Sequence, residues 1–165
     1  MHIVVAGNDT WHYEPPPGEN ITWKEKAIKD HRFDLNRPHF LGHLPKPRYA
    51  KLLQRSDAHV YLTRPFVLSW SLIEAMATGC PLVVSDVAPV REVVPDPKAA
   101  QFVAADDAPA IAHAVLAHLS DPERARRMGR AARNLAKQNY DAGMCHQAIK
   151  ERLVSLLSHR VSSAA

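Results

Sequence analysis

The residue types best suited to chemistry fall in one short stretch, Arg64-Pro65-Phe66-Val67-Leu68-Ser69-Trp70-Ser71-Leu72-Ile73-Glu74, which runs on through Gly79 into the apolar segment Pro81-Leu82-Val83-Val84-Ser85. The order is loop, helix, glycine stop, strand. A loop that opens a helix presents backbone N–H groups and the positive end of the helix dipole, a combination that holds a phosphate or diphosphate without a metal ion. Backbone amides of Val67, Leu68 and Ser69 are the expected cradle. Glu74 falls in the first turns of this helix, where a carboxylate needs a donor partner, and the two hydroxyls of a ribose would supply one. Ser71-Leu72-Ile73-Glu74 also fits the S-x-x-E pattern of a capping box, in which the glutamate closes back on the serine N–H. Both readings stay open on local pattern. Arg64 likewise reads either as one positive charge for an anionic ligand or as a solvated arginine ahead of a proline.

These residues need a frame, and the rest of the chain supplies its pattern. Ile3-Val4-Val5-Ala6 is a short β-branched run stopped by Gly7-Asn8-Asp9, which predicts a buried parallel strand meeting a turn. An aromatic, proline-rich loop over 11–18 precedes a helix predicted over 23–31. A second strand is predicted over 39–41 before Gly42, a helix over 48–55 behind Pro45 and Pro47, and a third strand over 59–63. Strands over 81–85 and 101–104 flank a short helix over 88–93. Helices over 109–119, 122–138 and 143–159 complete the chain. Alternating short apolar strands and helices predict a doubly wound, Rossmann-like α/β fold with a mostly parallel sheet, helices on both faces and a helical carboxyl terminus. Ligands of such sheets sit at the carboxyl ends of the strands. The loops to watch are therefore 7–9, 42–44, 64–71 and 85–89.

Bulk properties narrow the classes. The 165 residues are 46% hydrophobic and 23% charged, the composition of one ordinary globular domain. A formal charge of +4, from 21 basic and 17 acidic residues, suits small anions and does not demand nucleic acid. Cys80 and Cys145 form no C-x-x-C pair, and the histidines show no H-x-x-x-H or H-E-x-x-H spacing, so neither a disulfide framework nor a metal site is expected. The first residues do not read as a signal peptide, and no apolar run approaches the roughly 20 residues of a membrane span. These features together predict a cytoplasmic setting.

The stretch Glu74-Ala75-Met76-Ala77-Thr78-Gly79-Cys80-Pro81-Leu82-Val83-Val84-Ser85 resembles the "EAMAxGxPVVxS" signature of the carboxyl-terminal, donor-binding domain of family-4 (group 1) retaining glycosyltransferases of the GT-B fold. Other matches follow in order. Gly7-Asn8-Asp9 resembles the turn of that family's "VxGxGP", His39-Phe40-Leu41-Gly42-His43-Leu44 its "VxFxGxV", Ala88-Pro89-Val90-Arg91-Glu92-Val93-Val94 its "xxPExV", and Asn139-Tyr140-Asp141 its "xxFSW"-like turn. The resemblance implies a nucleoside-diphosphate sugar as donor, no cofactor and no metal. It places Glu74 on the donor ribose, as the second glutamate of an E-x7-E motif. Phe66 stands where the first glutamate would be, a departure that bears on donor-sugar contacts and catalytic competence. By the same resemblance Gly7, Asn8, Gly42, His43 and Leu44 approach the donor, with backbone groups at 42–44 reading the base edge and Pro89 closing a wall. It also implies an amino-terminal acceptor-binding domain, and a preceding strand and helix carrying an arginine and a lysine for the diphosphate, so that 1–165 acts weakly or not at all alone.

Three alternatives are weighed beside it. A non-catalytic nucleotide-sugar-binding module or partner subunit would share fold and pocket. A dinucleotide-dependent oxidoreductase lacks its G-x-G-x-x-G here, since Gly7-Asn8-Asp9 has no companion glycines. Arg124, Arg126, Arg127, Arg130, Arg133 and Lys137 could meet nucleic acid or anionic lipid, but at these spacings they wrap around a helix without forming a stripe, which favours a solvated helix whose apolar face is Met128, Ala131 and Leu135.

Overall fold

The computed structural model describes residues 1–9, 18, 21–30, 34, 36–64 and 68–162, with side chains to residue 158. The aromatic, proline-rich segment 11–18 lies outside them except for Gly18. Elements run in the order β1 (Ile3–Ala6), α1 (Trp23–Asp30), β2 (Pro38–Gly42), α2 (Lys46–Arg55), β3 (His59–Tyr61), α3 (Trp70–Thr78), β4 (Leu82–Ser85), α4 (Ala88–Val93), β5 (Gln101–Val103), α5 (Ala108–Ser120), α6 (Pro122–Asn139) and α7 (Ala142–Ser162). Every strand pair is parallel, and a helix makes each return. The fold is the expected α/β arrangement with a helical carboxyl terminus. The strands divide between two sheets, β1-β2 and β3-β4-β5, and the chain forms two compact units, Met1–Tyr49 and Ala50–Ala165.

In the first unit, β1 departs from the buried strand predicted for it. Ile3, Val4 and Val5 are 47%, 42% and 44% exposed, and among the described residues β1 is paired on one side alone, with β2. Helix α1 starts on a reciprocal cap in which Thr22 N donates to Glu25 and Glu25 N donates to Thr22. Lys24 places its ammonium 4.9 Å from the Phe40 ring centroid.

The second unit carries the core. Leu82, Val83, Val84 and Ser85 of β4 are all inaccessible to solvent, the state expected of a parallel strand flanked by two others and covered on both faces. Burying each aliphatic side chain there is worth roughly 1.5–3 kcal/mol. Ile111, Ala114 and Val115 of α5 pack over Val83 and Val103. Helix α6 lies on α3, and its buried residues are Ala125, Met128, Gly129, Ala132 and Ala136. This corrects the predicted apolar face: Met128 belongs to it, whereas Ala131 and Leu135 sit at its margin, and the seam is made of small residues that let two backbones meet. A Cβ on Gly129 would lie 2.1 Å from the Gly79 carbonyl oxygen, while one on Gly79 meets nothing closer than 3.6 Å.

Most described histidines are exposed, as expected, but His118 is a core residue at 2% exposure, with Nε2 3.3 Å from the Leu82 carbonyl and no partner for Nδ1. Burial holds its pKa below the ordinary histidine range, the Leu82 bond partly opposing and Arg124 assisting. Burial lowers His59 in the same direction.

Two outcomes are expected. Gly129→Ala should destabilise the unit by roughly 3 kcal/mol through overpacking, whereas Gly79→Ala should cost about 1 kcal/mol for a left-handed cap; denaturant midpoints check the ranking. Because the folded state keeps His118 and His59 neutral, the unfolded chain binds protons first on acidification, so stability is complete above about pH 6.5 and declines as pH falls below it. His118→Met should flatten that slope in midpoints measured from pH 7.5 to 5.

Candidate functional site

At the carboxyl end of the first sheet, the predicted residues Gly7, Asn8, Gly42, His43 and Leu44 come together. Gly7 N donates to the Gly42 carbonyl at 2.9 Å, and the register slips between Val5 and Ala6 so that Ala6 faces Gly42. Both glycines have positive φ, +147° at Gly7 and +64° at Gly42, and neither would bring a Cβ within 4 Å of anything. Among the described residues nothing crowds these two turns, and glycine is the residue that lets a ligand approach main-chain groups closely. Gly7, Asn8 and His43 are exposed and Leu44 is half-buried.

At the carboxyl end of the second sheet, the connection from β3 to α3 is tied down at both ends. Thr63 N donates to Ser85 Oγ at 2.7 Å, and Ser69 N donates to Tyr61 Oη at 3.1 Å. Ser69 is the N-cap of α3: its backbone is extended and its Oγ accepts from Ser71 N at 3.3 Å and lies 3.0 Å from Ser71 Oγ. The capping-box reading of Ser71 and Glu74 is corrected by this. The helix begins at Trp70, one residue before Ser71, so the third helical position is Leu72, and Glu74 lies too far along to close a box. The amides of Ser69 and Ser71 are bonded within the protein. Ser71 and Glu74, three residues apart, share a half-buried helix face beside the core face of Leu72, Ala75 and Met76.

Arg64 is exposed and Leu68 half-buried; Phe66 and Val67 lie outside the described residues. Beyond β4, Arg91 grips Asp86 with two guanidinium nitrogens, Nη2 to Oδ2 at 2.8 Å, and its Cζ sits 4.4 Å from the Phe102 ring centroid. Hydrogen bonding by Arg91 holds the Asp86 carboxyl below its usual range. Tyr61 and Ser85 were not among the candidate residues of the sequence. Their signal there is faint: a hydroxyl at the last residue of each of two short strands. No group of three or more histidine, cysteine, aspartate or glutamate side chains is placed to hold a metal ion among the described residues.

This geometry can be set beside known proteins. Residues 2–135 match the family described as glycosyl transferases group 1. The chain belongs to that family. Among curated proteins, the glycogen synthases of two Mycobacterium tuberculosis strains are each 32% identical over 124 residues, covering 75% of this chain and 30% of theirs. The chain thus spans about 30% of the length of the curated relatives it matches. Among solved structures, Anabaena HepE in complex with UDP-glucose superposes with a TM-score of 0.78 at 22% identity, covering 93% of this chain and 41% of that one. The HepE complex with UDP gives 0.76 with 94% and 41% coverage at the same identity. Sucrose-phosphate synthase from Thermosynechococcus elongatus gives 0.72 at 23% identity, covering 94% and 38%. These solved proteins share the Rossmann-like α/β fold of this chain.

Loss of the cap is expected to register locally. Ser69→Ala should destabilise the second unit by about 1 kcal/mol, and amide exchange in the first turn of α3 should rise while β4 stays protected. Equal loss of protection in both elements would contradict the cap assignment.

Proposed function

We propose that residues 1–165 are the donor-binding part of a retaining glycosyltransferase, which takes a nucleoside-diphosphate sugar and passes the glycosyl group to an acceptor held by a separate amino-terminal domain. The observation that carries this reading is the position of Glu74 one turn inside a serine-capped helix at the carboxyl end of a parallel sheet; in the proposal the helix dipole favours the diphosphate and the carboxylate takes the ribose hydroxyls. The solved relatives support it, since HepE is seen with UDP and with UDP-glucose. The open turns at Gly7 and Gly42 are suited to main-chain contact with the donor. The proposal calls for no metal and no cofactor, and Phe66 in place of a glutamate alters the contacts to the donor sugar.

Transfer with retention follows in this reading from attack on the same face that the diphosphate leaves, with the donor phosphate taking the acceptor proton, so no side chain is needed as general base. The reading also includes a preceding strand and helix and the acceptor domain. Surfaces of the chain fit such an assembly: β1 exposes Ile3, Val4 and Val5, and Ile149, Leu153 and Leu157 of α7 form an exposed apolar stripe at helical spacing. A cytoplasmic setting accompanies the proposal. Cys80 and Cys145 are both free thiols, and no helix among the described residues is long and apolar enough to cross a membrane.

Titration of the chain with UDP, GDP and ADP is expected to show saturable binding of one nucleotide in preference to the others, with stabilisation that grows as ligand exceeds its Kd. Glu74→Gln should weaken that binding about tenfold, a loss of about 1.4 kcal/mol, with the melting temperature of the free protein little changed. Equal affinity in wild type and variant would remove Glu74 from the ribose. Joined to an acceptor domain, a chain that binds the sugar nucleotide but never transfers would favour the non-catalytic module instead.

A further inference from the structure

We infer that Tyr61 and Ser85 are positioning residues for the donor site, their hydroxyls fixing the two ends of the β3–α3 connection and through it the rotation of Ser71 and Glu74; this rests on the donor-binding reading above.

The two side chains stand in the core of the second unit. Ser85 is inaccessible to solvent and Tyr61 is 9% exposed. Apolar residues of similar size, valine and phenylalanine, would fill the same space without bringing a polar atom into it, and a buried hydroxyl is tolerated only where it finds a partner. The partner in each case is a main-chain amide of the same connection: Thr63 N on Ser85 Oγ, and Ser69 N on Tyr61 Oη. Tyr61 pairs with Val84 across the sheet, so Ser85 is the next residue along β4. Both anchors therefore belong to the same end of two adjacent, hydrogen-bonded strands.

The consequence reaches the site through the cap. Tyr61 holds the Ser69 amide, Ser69 Oγ receives Ser71 N, and the first turn of α3 starts from that point. Successive residues of an α-helix are turned by about 100°, so a start displaced by one residue would swing Glu74 off its present face. Thr63, held by Ser85, fixes the other end and sets where Arg64 leaves the sheet. Neither hydroxyl needs to touch the ligand to determine what the ligand meets.

The experiment compares wild type with Tyr61→Phe, Ser85→Ala and Ser85→Thr, using UDP as the probe alongside ADP and GDP, with amide exchange read at Ser69 and Thr63. Tyr61→Phe and Ser85→Ala are each expected to weaken nucleotide binding about tenfold while the fold is kept. Exchange should rise at least tenfold at Ser69 in the first and at Thr63 in the second. Ser85→Thr, which keeps the hydroxyl, should restore both. A purely structural role would lower the melting temperature and leave Kd unchanged, and that result, or unaltered exchange at these amides, overturns the inference. Should one variant fail to fold, the other decides, since each anchors a separate end. Failure of the wild-type chain to bind UDP, ADP or GDP would overturn the donor reading itself, whereas binding that persists undiminished in the variants overturns only the role of the two hydroxyls.

Discussion

Strand β4 has no face toward solvent, and the order of the second unit follows from that. A strand paired on both edges and covered on both faces leaves its backbone no alternative partners, so its position is fixed before any loop is considered. Ser85 at its end then becomes a fixed acceptor, and β3, held in register by β4, makes Tyr61 another. The polar groups that shape the connection to α3 are thus placed by hydrophobic burial, which is strong and undirected, and act through hydrogen bonds, which are weaker and directed.

Helix α3 is specified at both ends by different physics. Its start is chosen by the Ser69 cap, and its stop by Gly79, whose left-handed backbone sends its N–H back to the carbonyls of Ala75 and Met76. The same glycine meets Gly129 of α6 backbone to backbone, and it is the missing side chain of Gly129 that lets α6 come this close to the end of α3. A side chain at Gly129 would lift α6 away and loosen the seam along which α3 is held.

Much of this was legible in the residues. Short apolar runs ended by turn residues marked the strands, and Gly79 before Cys80-Pro81 marked the end of α3, because those signals depend on local backbone energetics. The burial of β1 was not legible: Ile3-Val4-Val5 has the composition of a covered strand, but burial depends on which elements pack against it, and composition does not record that. The capping-box alternative at Ser71 and Glu74 failed for a similar reason. Ser69 and Ser71 are equally good capping residues, and the choice between them is made by Tyr61, eight residues upstream of Ser69, through a tertiary hydrogen bond. The small-residue seam of α6 escaped because glycine and alanine carry little hydrophobic signal, although close helix contact requires them.

The charge distribution argues for the same division of labour within the second unit. Helix α6 carries half of its arginines, and the aliphatic stem of Arg133 lies beside Gly79, with Cδ 3.6 Å from where a Cβ on that glycine would sit, at the carboxyl end of α3. A cation there complements the negative end of the helix dipole. It stands at the opposite end of a nine-residue helix from the Ser69 cap, a separation of about 13 Å at 1.5 Å per residue, longer than the Debye length in physiological salt. Arg91 is already matched by Asp86. Arg133 of the basic helix therefore belongs to the frame at the carboxyl end of α3, away from the Ser69 cap.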